Sequence, residues 1–445
     1  MTETAVPPHL RHHEIRCAAY ADLDAYEKLD PARAAELQLT RLRESVTYAL
    51  TSSPYYRHHW SAHRATRFDS LDDIRTLPFT TKADLRAAYP FGLVAADRQE
   101  IVRYGESTGT TGSPTSAVIT YEDWIRGNVA VERSVGHLFG PGDLVFIAIP
   151  YELAFASYDV DRALERVGAG VVAVGTLSRV CPFERMVEMM WTVKPTGLVC
   201  TPSRALRLYD LLKDSGRDPL EVGLRTFMYV GETCSPAKLS KIADLWGVRL
   251  SNAYGSTETN SLGLTCAEGA LHLTEDRHLF EVIDPETAEP VADGTPGELV
   301  LTSLVSRAMP LLRYRTGDFV TVHRATCACG SPRRTLDHHG RVSEQLVVDG
   351  RRINKLALED VVLSTKGSGL YWAAGVTHRG LEIRVEAESG DTARLCSEVA
   401  EHVTAAVGIT PVVEPIDRDT VRRAMDRMLK PGSLSLEDLA AAATS

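Results

Sequence analysis

A short stretch rich in glycine and hydroxyl residues is the first candidate for chemistry. It consists of Ser107, Thr108, Gly109, Thr110, Thr111 and Gly112. Glycine lets backbone amides approach a ligand closely, and amides together with hydroxyls can surround the oxygens of a phosphate chain. The Gly-Lys-Ser/Thr ending of a Walker loop does not follow. The stretch therefore indicates either a phosphate-binding loop of another kind or a flexible surface linker.

A second polar stretch follows the apolar residues 248–250. It consists of Asn252, Ala253, Tyr254, Gly255, Ser256, Thr257 and Glu258. This order predicts a position at the C-terminal end of a strand, where open α/β sheets bind ligands. Tyr254 offers a flat face for a nucleotide base, and Glu258 offers an oxygen ligand that suits Mg²⁺ beside phosphates. The alternative is a polar turn from strand to helix, with Glu258 in the first helical turn.

Two further motifs lie closer to the C-terminus. Asp318 ends the sequence Tyr-Arg-Thr-Gly-Asp, and a carboxylate after a tight glycine turn can accept both hydroxyls of a ribose. Taken in isolation, the same residues favour an ordinary hairpin with Gly-Asp turn chemistry. Gly340 and Arg341 come where the domains are expected to meet, so they predict a hinge with a ligand contact.

Three cysteines and one histidine form a candidate metal site. Cys266 and His272 flank a turn, and Cys327 and Cys329 follow about 55 residues later. Three thiolates and an imidazole make a closed tetrahedral set for structural Zn²⁺. The gap is longer than in a zinc finger, so the alternative of free buried thiols with a surface histidine stays open. The pairs His12-His13 and His338-His339 lack ligand partners at a useful spacing and are interpreted as surface residues.

The elements that must position these residues alternate between strand and helix up to about residue 280. Strands are predicted at 116–120, 143–149, 171–174, 197–201 and 226–230, with helices such as 31–50 and 121–138. This pattern predicts an α/β protein whose N-terminal domain, residues 1–339, has helix-flanked and largely parallel sheets. Short strands between turns predict a small β-rich subdomain at about 280–335. Residues 340–445 are expected to form a small, mobile α+β C-terminal domain.

Composition excludes several classes of protein. The chain has 445 residues, of which 44% are hydrophobic, and a formal net charge of −10. A nucleic-acid-binding protein would need a basic face. No apolar run reaches the roughly 18 residues of a membrane helix, and no secretory signal is visible. We therefore expect a cytoplasmic protein with reduced thiols and without nucleic-acid or membrane partners.

Taken in order, these motifs resemble the adenylate-forming (acyl-CoA synthetase/ligase) superfamily, and within it the phenylacetate–CoA ligase-like family. The resemblance covers about residues 29–365 and thins after that. It also includes Leu77–Lys82, Tyr89–Leu93, Lys194–Gly197, Thr201–Ser203, Gly231–Thr233 and Gly297–Val300.

The resemblance implies an enzyme in which a carboxylate attacks the α-phosphate of ATP, giving an acyl adenylate that an acceptor such as CoA then captures. It implies that residues 107–112 hold phosphates, that Thr257 touches phosphate, and that Glu258 binds Mg²⁺. Asp318 would hold the ribose, with Arg341 nearby. A homodimer is the family habit.

The resemblance also implies an adenine site and a catalytic lysine. Gly231, Glu232 and Thr233 would line the adenine, and Tyr254 would stack on it. The lysine that such enzymes contribute from the C-terminal domain is assigned to Lys430, with Lys355 as the second candidate. A lysine is a compact charge on a flexible stem and suits a developing negative centre.

This sequence departs from the family pattern at three places, and these differences bear on the substrate and on the timing of turnover. Ser113 stands where relatives usually carry lysine, and Ser343 where the hinge usually has aspartate or lysine. The acyl-pocket stretch 151–162 is charged where relatives are apolar, although Tyr151, Phe155 and Tyr158 still predict an aromatic wall. A ring with an amino or hydroxyl group would fit this mixture better than phenylacetate.

The sequence thus predicts an ATP-dependent aryl-acid–CoA ligase. An alternative keeps the adenylate but changes the acceptor, as in amide formation or nitrite activation against an aryl amine in secondary metabolism. A third possibility is a non-catalytic nucleotide-binding relative. Retention of Glu258, Asp318 and Arg341 argues against it.

Overall fold

The computed structural model describes residues 11–107, 113–176, 178–324, 326–388, 390–427 and 434–443. It divides into two compact units. The first unit contains the residues up to Gly175 together with Asn252–Asp337, and the second contains Thr176–Ser251 together with the residues from His338 onward. Each unit is therefore assembled from two separate segments of the chain.

Some of the helices begin at a capping side chain. Asp30 accepts a hydrogen bond from the Arg33 amide (2.9 Å), and Pro31 opens the second helix. The helices are α1 (His12–Tyr26), α2 (Pro31–Ser52), α3 (Pro54–His59), α4 (Lys82–Ala87), α5 (Tyr121–Gly136), α6 (Ala156–Arg166), α7 (Phe183–Val193), α8 (Pro202–Asp214), α9 (Pro236–Trp246), α10 (Lys355–Ser364), α11 (Thr392–Val407), α12 (Arg418–Arg427) and α13 (Leu436–Ala443).

The strands lie between these helices and dominate the later part of the first unit. They are β1 (Ile101–Glu106), β2 (Ser116–Thr120), β3 (Leu144–Ala148), β4 (Gly170–Ala173), β5 (Gly197–Cys200), β6 (Thr226–Tyr229), β7 (Arg249–Ser256), β8 (Asn260–Thr265), β9 (Leu271–Leu273), β10 (His278–Ile283), β11 (Gly297–Ser303), β12 (Tyr314–His323), β13 (Thr335–Arg341), β14 (Leu346–Val348), β15 (Arg351–Ile353), β16 (Ser368–Thr377), β17 (Gly380–Ala387) and β18 (Val412–Pro415).

The first unit contains parallel and antiparallel pairings. β3 and β4 are parallel, whereas β1 and β2 form an antiparallel pair on either side of residues 107–115. The strands of its later segment follow the order β10-β11-β12-β13-β9-β8-β7. A core of buried residues from α2, β11 and β12, including Leu42, Leu299 and Val320, stabilises this unit.

The second unit also mixes strand directions. β5 and β6 are parallel, β14 and β15 form a hairpin, and β17 pairs antiparallel with β16 and parallel with β18. Buried residues of α10, β17 and α11, among them Leu358, Ile383 and Val399, form a core against this small sheet.

The structure confirms the predicted α/β class, and most predicted strands lie within one or two residues of the observed ones. The prediction that residues 252–258 follow a strand was wrong in part, because β7 continues to Ser256 and only Thr257 and Glu258 lie beyond it. The physical reason is the antiparallel pairing of β7 with β8, which supplies hydrogen-bond partners through this polar sequence.

The predicted domain boundary at residues 339 and 340 stays a prediction. Within the described part of the chain, no helix has the length and apolar character that crossing a membrane requires.

Candidate active site

Two of the predicted nucleotide-binding motifs meet in the first unit. The Tyr254 hydroxyl on β7 donates a hydrogen bond to Asp318 Oδ2 on β12 at 2.5 Å. Asp318 is buried and follows Gly317, whose φ of 73° lies in the left-handed region that glycine tolerates. The ring proposed to stack on a base and the carboxylate proposed to hold a ribose are therefore adjacent.

Close backbone packing fixes the rest of the β7–β8 hairpin. A Cβ on Gly255 would lie 2.1 Å from the Asn260 carbonyl oxygen, so only glycine fits there. The Ser256 amide donates to Thr259 Oγ1 at 3.0 Å, and the Asn252 amide donates to Thr265 Oγ1 at 2.8 Å. Ala253 lies within β7, and Thr257 is half-buried just after it.

Glu258 is a buried carboxylate with two defined partners. Its Oε1 accepts a hydrogen bond from the Tyr314 hydroxyl at 2.8 Å and lies 3.3 Å from Lys82 Nζ. Burial would raise the pKa of the Glu258 carboxyl, but Lys82 and the Tyr314 hydrogen bond outweigh it and hold the pKa below its ordinary value. Glu258 is therefore ionised, the form in which a carboxylate can hold Mg²⁺.

Lys82 is a site residue that the sequence analysis missed. It is the first residue of α4, directly after Thr81, which caps that helix by accepting from the Asp84 amide. The preceding Thr80 is joined to β12 by two backbone bonds, from its amide to the Arg313 oxygen (3.0 Å) and from the Arg315 amide to its oxygen (2.9 Å). These bonds fix the start of α4, and the Lys82 amine reaches Glu258 from there.

Most residues of the predicted phosphate loop lie outside the described residues. The structure does not describe Thr108, Gly109, Thr110, Thr111 and Gly112, nor does it describe Lys430. Ser107 is described, and its amide donates to the Thr115 oxygen at 2.9 Å while its Oγ accepts from the Thr115 amide at 3.0 Å. These bonds close the base of the segment between β1 and β2.

In the second unit, the predicted adenine-lining residues follow β6. Gly231 has a φ of 79°, which glycine adopts readily. Glu232 Oε2 accepts from the Ser203 amide at the start of α8 (3.1 Å), while no hydrogen bond to its buried Oε1 exists among the described residues. Thr233 Oγ1 lies 3.1 Å from His338 Nδ1.

His338 connects two predicted motifs, so its interpretation as a simple surface residue was wrong. It is half-buried, and its Nδ1 accepts a hydrogen bond from the Gly340 amide at 3.0 Å. Since Nδ1 is the acceptor there, the Thr233 hydroxyl is the donor to it. His338 thereby links residues 231–233 to Gly340 and Arg341, whose backbone amide donates to Glu344 at 3.4 Å.

Two of the three predicted aromatic wall residues, Tyr151 and Tyr158, contact each other in the first unit, and the third, Phe155, packs against β1. The rings of Tyr151 and Tyr158 meet edge to face at 5.2 Å, and the Tyr151 hydroxyl donates to Asp161 at 3.1 Å. Phe155 is buried against β1, where a Cβ on Gly105 would lie only 2.8 Å from its ring. One charged residue of this stretch, Asp161, is thus hydrogen-bonded to the aromatic wall itself.

Asp159 is fully buried among these residues and accepts a hydrogen bond from Trp124 Nε1 at 3.1 Å. Burial raises the pKa of Asp159 to about 7, against the opposing effect of Arg103. The folded state therefore holds a proton that the unfolded state releases near pH 4, and this costs stability as pH rises from 4 to 7.

We expect Asp159→Asn to be more stable than the unmodified protein at pH 8, by up to roughly 4 kcal/mol, and to lose that advantage near pH 4. Asparagine can still accept from Trp124 but never has to ionise. Denaturant unfolding of both proteins at pH 5, 6, 7 and 8 measures the difference. An identical pH dependence in the two proteins would contradict the assignment.

The predicted metal ligands converge in the first unit. The ligand atoms of Cys266, His272, Cys327 and Cys329 all lie within 4.8 Å of one another. The Cys266 and Cys327 sulfurs are 3.8 Å apart, and Cys329 Sγ is 3.3 Å from His272 Nε2. A tetrahedral zinc site with Zn–S bonds of about 2.3 Å requires sulfur–sulfur distances of about 3.8 Å. The donor set fits Zn²⁺.

His272 is buried, so the alternative with a surface histidine was wrong. Its Nδ1 lies 3.0 Å from the Arg333 carbonyl oxygen, and a proton on Nδ1 leaves Nε2 available as a ligand. None of the eight cysteines, all of which lie in the described part, forms a disulfide.

The amino-acid sequence of this chain is similar to those of known enzymes. Residues 97–304 match the family described as AMP-binding enzyme. The phenylacetate-coenzyme A ligase of Aromatoleum evansii is 30% identical, over 94% of this chain and 99% of its own length. The enzyme of the same name from Thermus thermophilus is 32% identical, over 86% of this chain and 85% of its own.

Among solved structures, the fold is similar to that of 2-hydroxyisobutyryl-CoA ligase in the postadenylation state, with a TM-score of 0.80. That similarity covers 88% of this chain and 87% of the other at 24% identity, and it supports the fold. Because its relatives match at 30% identity or more over most of both chains, the protein belongs to the phenylacetate–CoA ligase family of adenylate-forming, AMP-producing ligases.

Proposed function

We propose that the protein activates an aromatic carboxylic acid with ATP and transfers the acyl group from the adenylate to CoA. The observation that carries the proposal is the near full-length similarity to two enzymes named phenylacetate-coenzyme A ligase. The edge-to-face pair of Tyr151 and Tyr158 supports an aromatic acid, since aromatic side chains favour contact with a planar apolar ring.

The nucleotide roles are proposed for the residues of each unit separately. In the first unit, Tyr254 would stack on the base and Asp318 would accept the ribose hydroxyls. In the second unit, Gly231, Glu232 and Thr233 are proposed to line the adenine. The backbone of Asn252–Ser256 would line the same nucleotide. Ser107–Gly112 and Thr257 would contact phosphates, and Arg341 would lie near the ribose.

Glu258 would hold Mg²⁺, which when bound neutralises charge on the phosphates. Glu258 fits this role because it is ionised and buried. Lys82 keeps the carboxylate charged and in place, so we assign it as a positioning residue.

Lys430 is our candidate for the lysine that stabilises the adenylation transition state. Lys355, the second candidate, is half-buried, and its amine donates to the Leu434 oxygen at 3.1 Å. We expect Lys430→Ala to slow adenylation about 100-fold or more with little change in ATP binding. Lys355→Ala is the matched comparison. Single-turnover adenylate formation and ATP titration measure both, and normal adenylation in Lys430→Ala would exclude that residue.

We also propose that Cys266, His272, Cys327 and Cys329 bind a structural Zn²⁺. The support is the tetrahedral spacing of four ligand atoms contributed by two separate turns of the chain.

The overall proposal is tested by pyrophosphate release with ATP, Mg²⁺ and a panel of aryl and aliphatic acids, run with CoA, with amines, with nitrite and without an acceptor. The expected result is release stimulated by CoA, with an aryl thioester of matching mass. Pyrophosphate release that does not change with CoA but increases with an amine or with nitrite would overturn the proposal that CoA is the acceptor. A preference for aliphatic acids would overturn the proposal that the substrate is an aromatic acid.

A further inference from the structure

A group of buried polar residues in the first unit has no part in the roles assigned above. We call Asn128 on α5, Asp159 on α6 and Arg277 beside β10 the buried polar cluster. Their exposed fractions are 2%, 5% and 9%. Buried polar side chains normally find hydrogen-bond partners, so any that lack one require an explanation.

Two atoms of this cluster have no hydrogen bond within the described part of the chain, namely Asn128 Oδ1 and Arg277 Nε. The orientation of Asn128 is fixed because its Nδ2 donates to the Asp159 backbone oxygen at 2.7 Å. Arg277 donates from its terminal nitrogen to the Ser261 oxygen at 3.3 Å, and its Nε lies 3.6 Å from Asp276 in an ion pair. One buried acceptor, Asn128 Oδ1, thus has no protein donor in the described part of the chain, whereas Arg277 Nε faces Asp276.

The cluster adjoins the aromatic wall. Trp124, which donates to Asp159, lies against Arg103, and the Arg103 guanidinium carbon is 4.3 Å from the centroid of the Tyr158 ring. On the other side of the cluster, a Cβ on Gly127 would lie 3.3 Å from both Arg277 and Asn260 Nδ2, and Asn260 comes two residues after Glu258. Asn260 has a φ of 61° at the β7–β8 turn, a left-handed conformation that asparagine adopts more readily than most residues.

We propose that the buried polar cluster forms the polar end of the acyl pocket and binds a hydroxyl or amino substituent on the ring of the acid. A hydroxyl can donate to Asn128 Oδ1. An amino group can donate to Asn128 Oδ1 and to the Asp159 carboxyl. The inference rests on the proposed aryl-acid activation and names the class of acid. An internal water on the same atoms is the competing explanation.

The test compares matched acids on the unmodified enzyme. Phenylacetates and benzoates with a hydroxyl or amino group at each ring position are paired with their methyl counterparts, which have similar size but no hydrogen-bonding group. Pyrophosphate release gives kcat/KM for each. We expect at least one hydroxyl or amino acid to exceed its methyl partner 10-fold or more, because a site built to hydrogen-bond a substituent rejects analogues that lack it.

Variants then locate the preference. Asn128→Leu is expected to reduce the ratio between the members of the best pair to near one, and Asp159→Leu is expected to do so where the substituent is an amino group. Glu165→Gln is the control, because it lies on the same helix in an exposed ion pair with Arg162 and should keep the ratio. Thermal unfolding checks that each variant folds. If a variant does not fold, the ratio of kcat/KM between the paired acids in the unmodified enzyme decides whether the pocket prefers a polar substituent.

The outcomes separate this inference from the proposed function. Release with many aryl acids but equal rates for each pair overturns the inference and leaves aryl-acid activation intact. A preference that survives in both folded variants also overturns it, and assigns the unsatisfied atoms to water. No release with any acid overturns both.

Discussion

Replacing Glu258 by glutamine is expected to lower the rate of adenylate formation by about 100- to 1000-fold, the range seen when one preorganised electrostatic group is removed from a transition state. Glutamine keeps the shape and can still accept from Tyr314, but it removes the charge that faces Lys82. The measurement is single-turnover pyrophosphate release at saturating ATP and Mg²⁺. ATP binding without Mg²⁺ should change little.

The matched control for Glu258→Gln is Glu132→Gln. Glu132 is also buried, and it accepts hydrogen bonds from Arg16 (3.0 Å) and Tyr20 (2.8 Å) on α1, among groups with no assigned part in the chemistry. Its loss should lower stability without slowing adenylation in the folded protein. Equal slowing in the two variants would show that a broken buried ion pair, and not the position of Glu258, causes the effect.

Lys82→Met provides a graded comparison. If Lys82 positions Glu258, its removal should lower kcat while leaving the KM for the acid largely unchanged, and Lys82→Arg should restore part of the rate. A loss confined to the KM for the acid would place Lys82 at the acyl group instead.

Loss of the metal is the second change with a large expected effect. We expect the purified protein to contain one Zn²⁺ per chain, and Cys327→Ser to lose it and to destabilise the fold by about 3 kcal/mol or more, because binding to a structural site contributes directly to folding free energy. Elemental analysis and thermal unfolding measure the two effects.

Cys17→Ser is the control for the metal site, because Cys17 is an exposed cysteine on α1 outside the candidate ligand set. It should retain both metal and stability. A metal-free protein whose unfolding is unaffected by chelators or by Cys327→Ser would contradict the zinc proposal.

The sequence predicted the elements better than the contacts between them. Strands such as β2, β5 and β6 were located almost to the residue, because short apolar runs bounded by turn residues identify buried strands. The continuation of β7 through Asn252–Ser256 was not predicted, since a polar sequence is held in a strand there by its partner β8, which periodicity does not reveal.

The same limit applies to the site. Tyr254 and Asp318 were each assigned to the nucleotide, but nothing in the sequence indicated that they touch. Lys82 lies 176 residues before Glu258 along the chain, and its position depends on backbone bonds from Thr80 to β12. The available signal was a lysine directly after a helix-capping threonine, which is usually an exposed residue. Burial of Asp159 was equally hidden, because its helix presents charged residues on several faces.

The hydrogen bond between Tyr254 and Asp318 has a consequence for the thermodynamics of nucleotide binding. Immobilising a side chain on association typically costs about 0.5–1.5 kcal/mol. Here the phenol and the carboxylate already restrain each other in the folded protein. Their conformational entropy is lost once, during folding, and not again at each turnover, so in the proposed nucleotide site this pair would meet ATP as a preorganised surface.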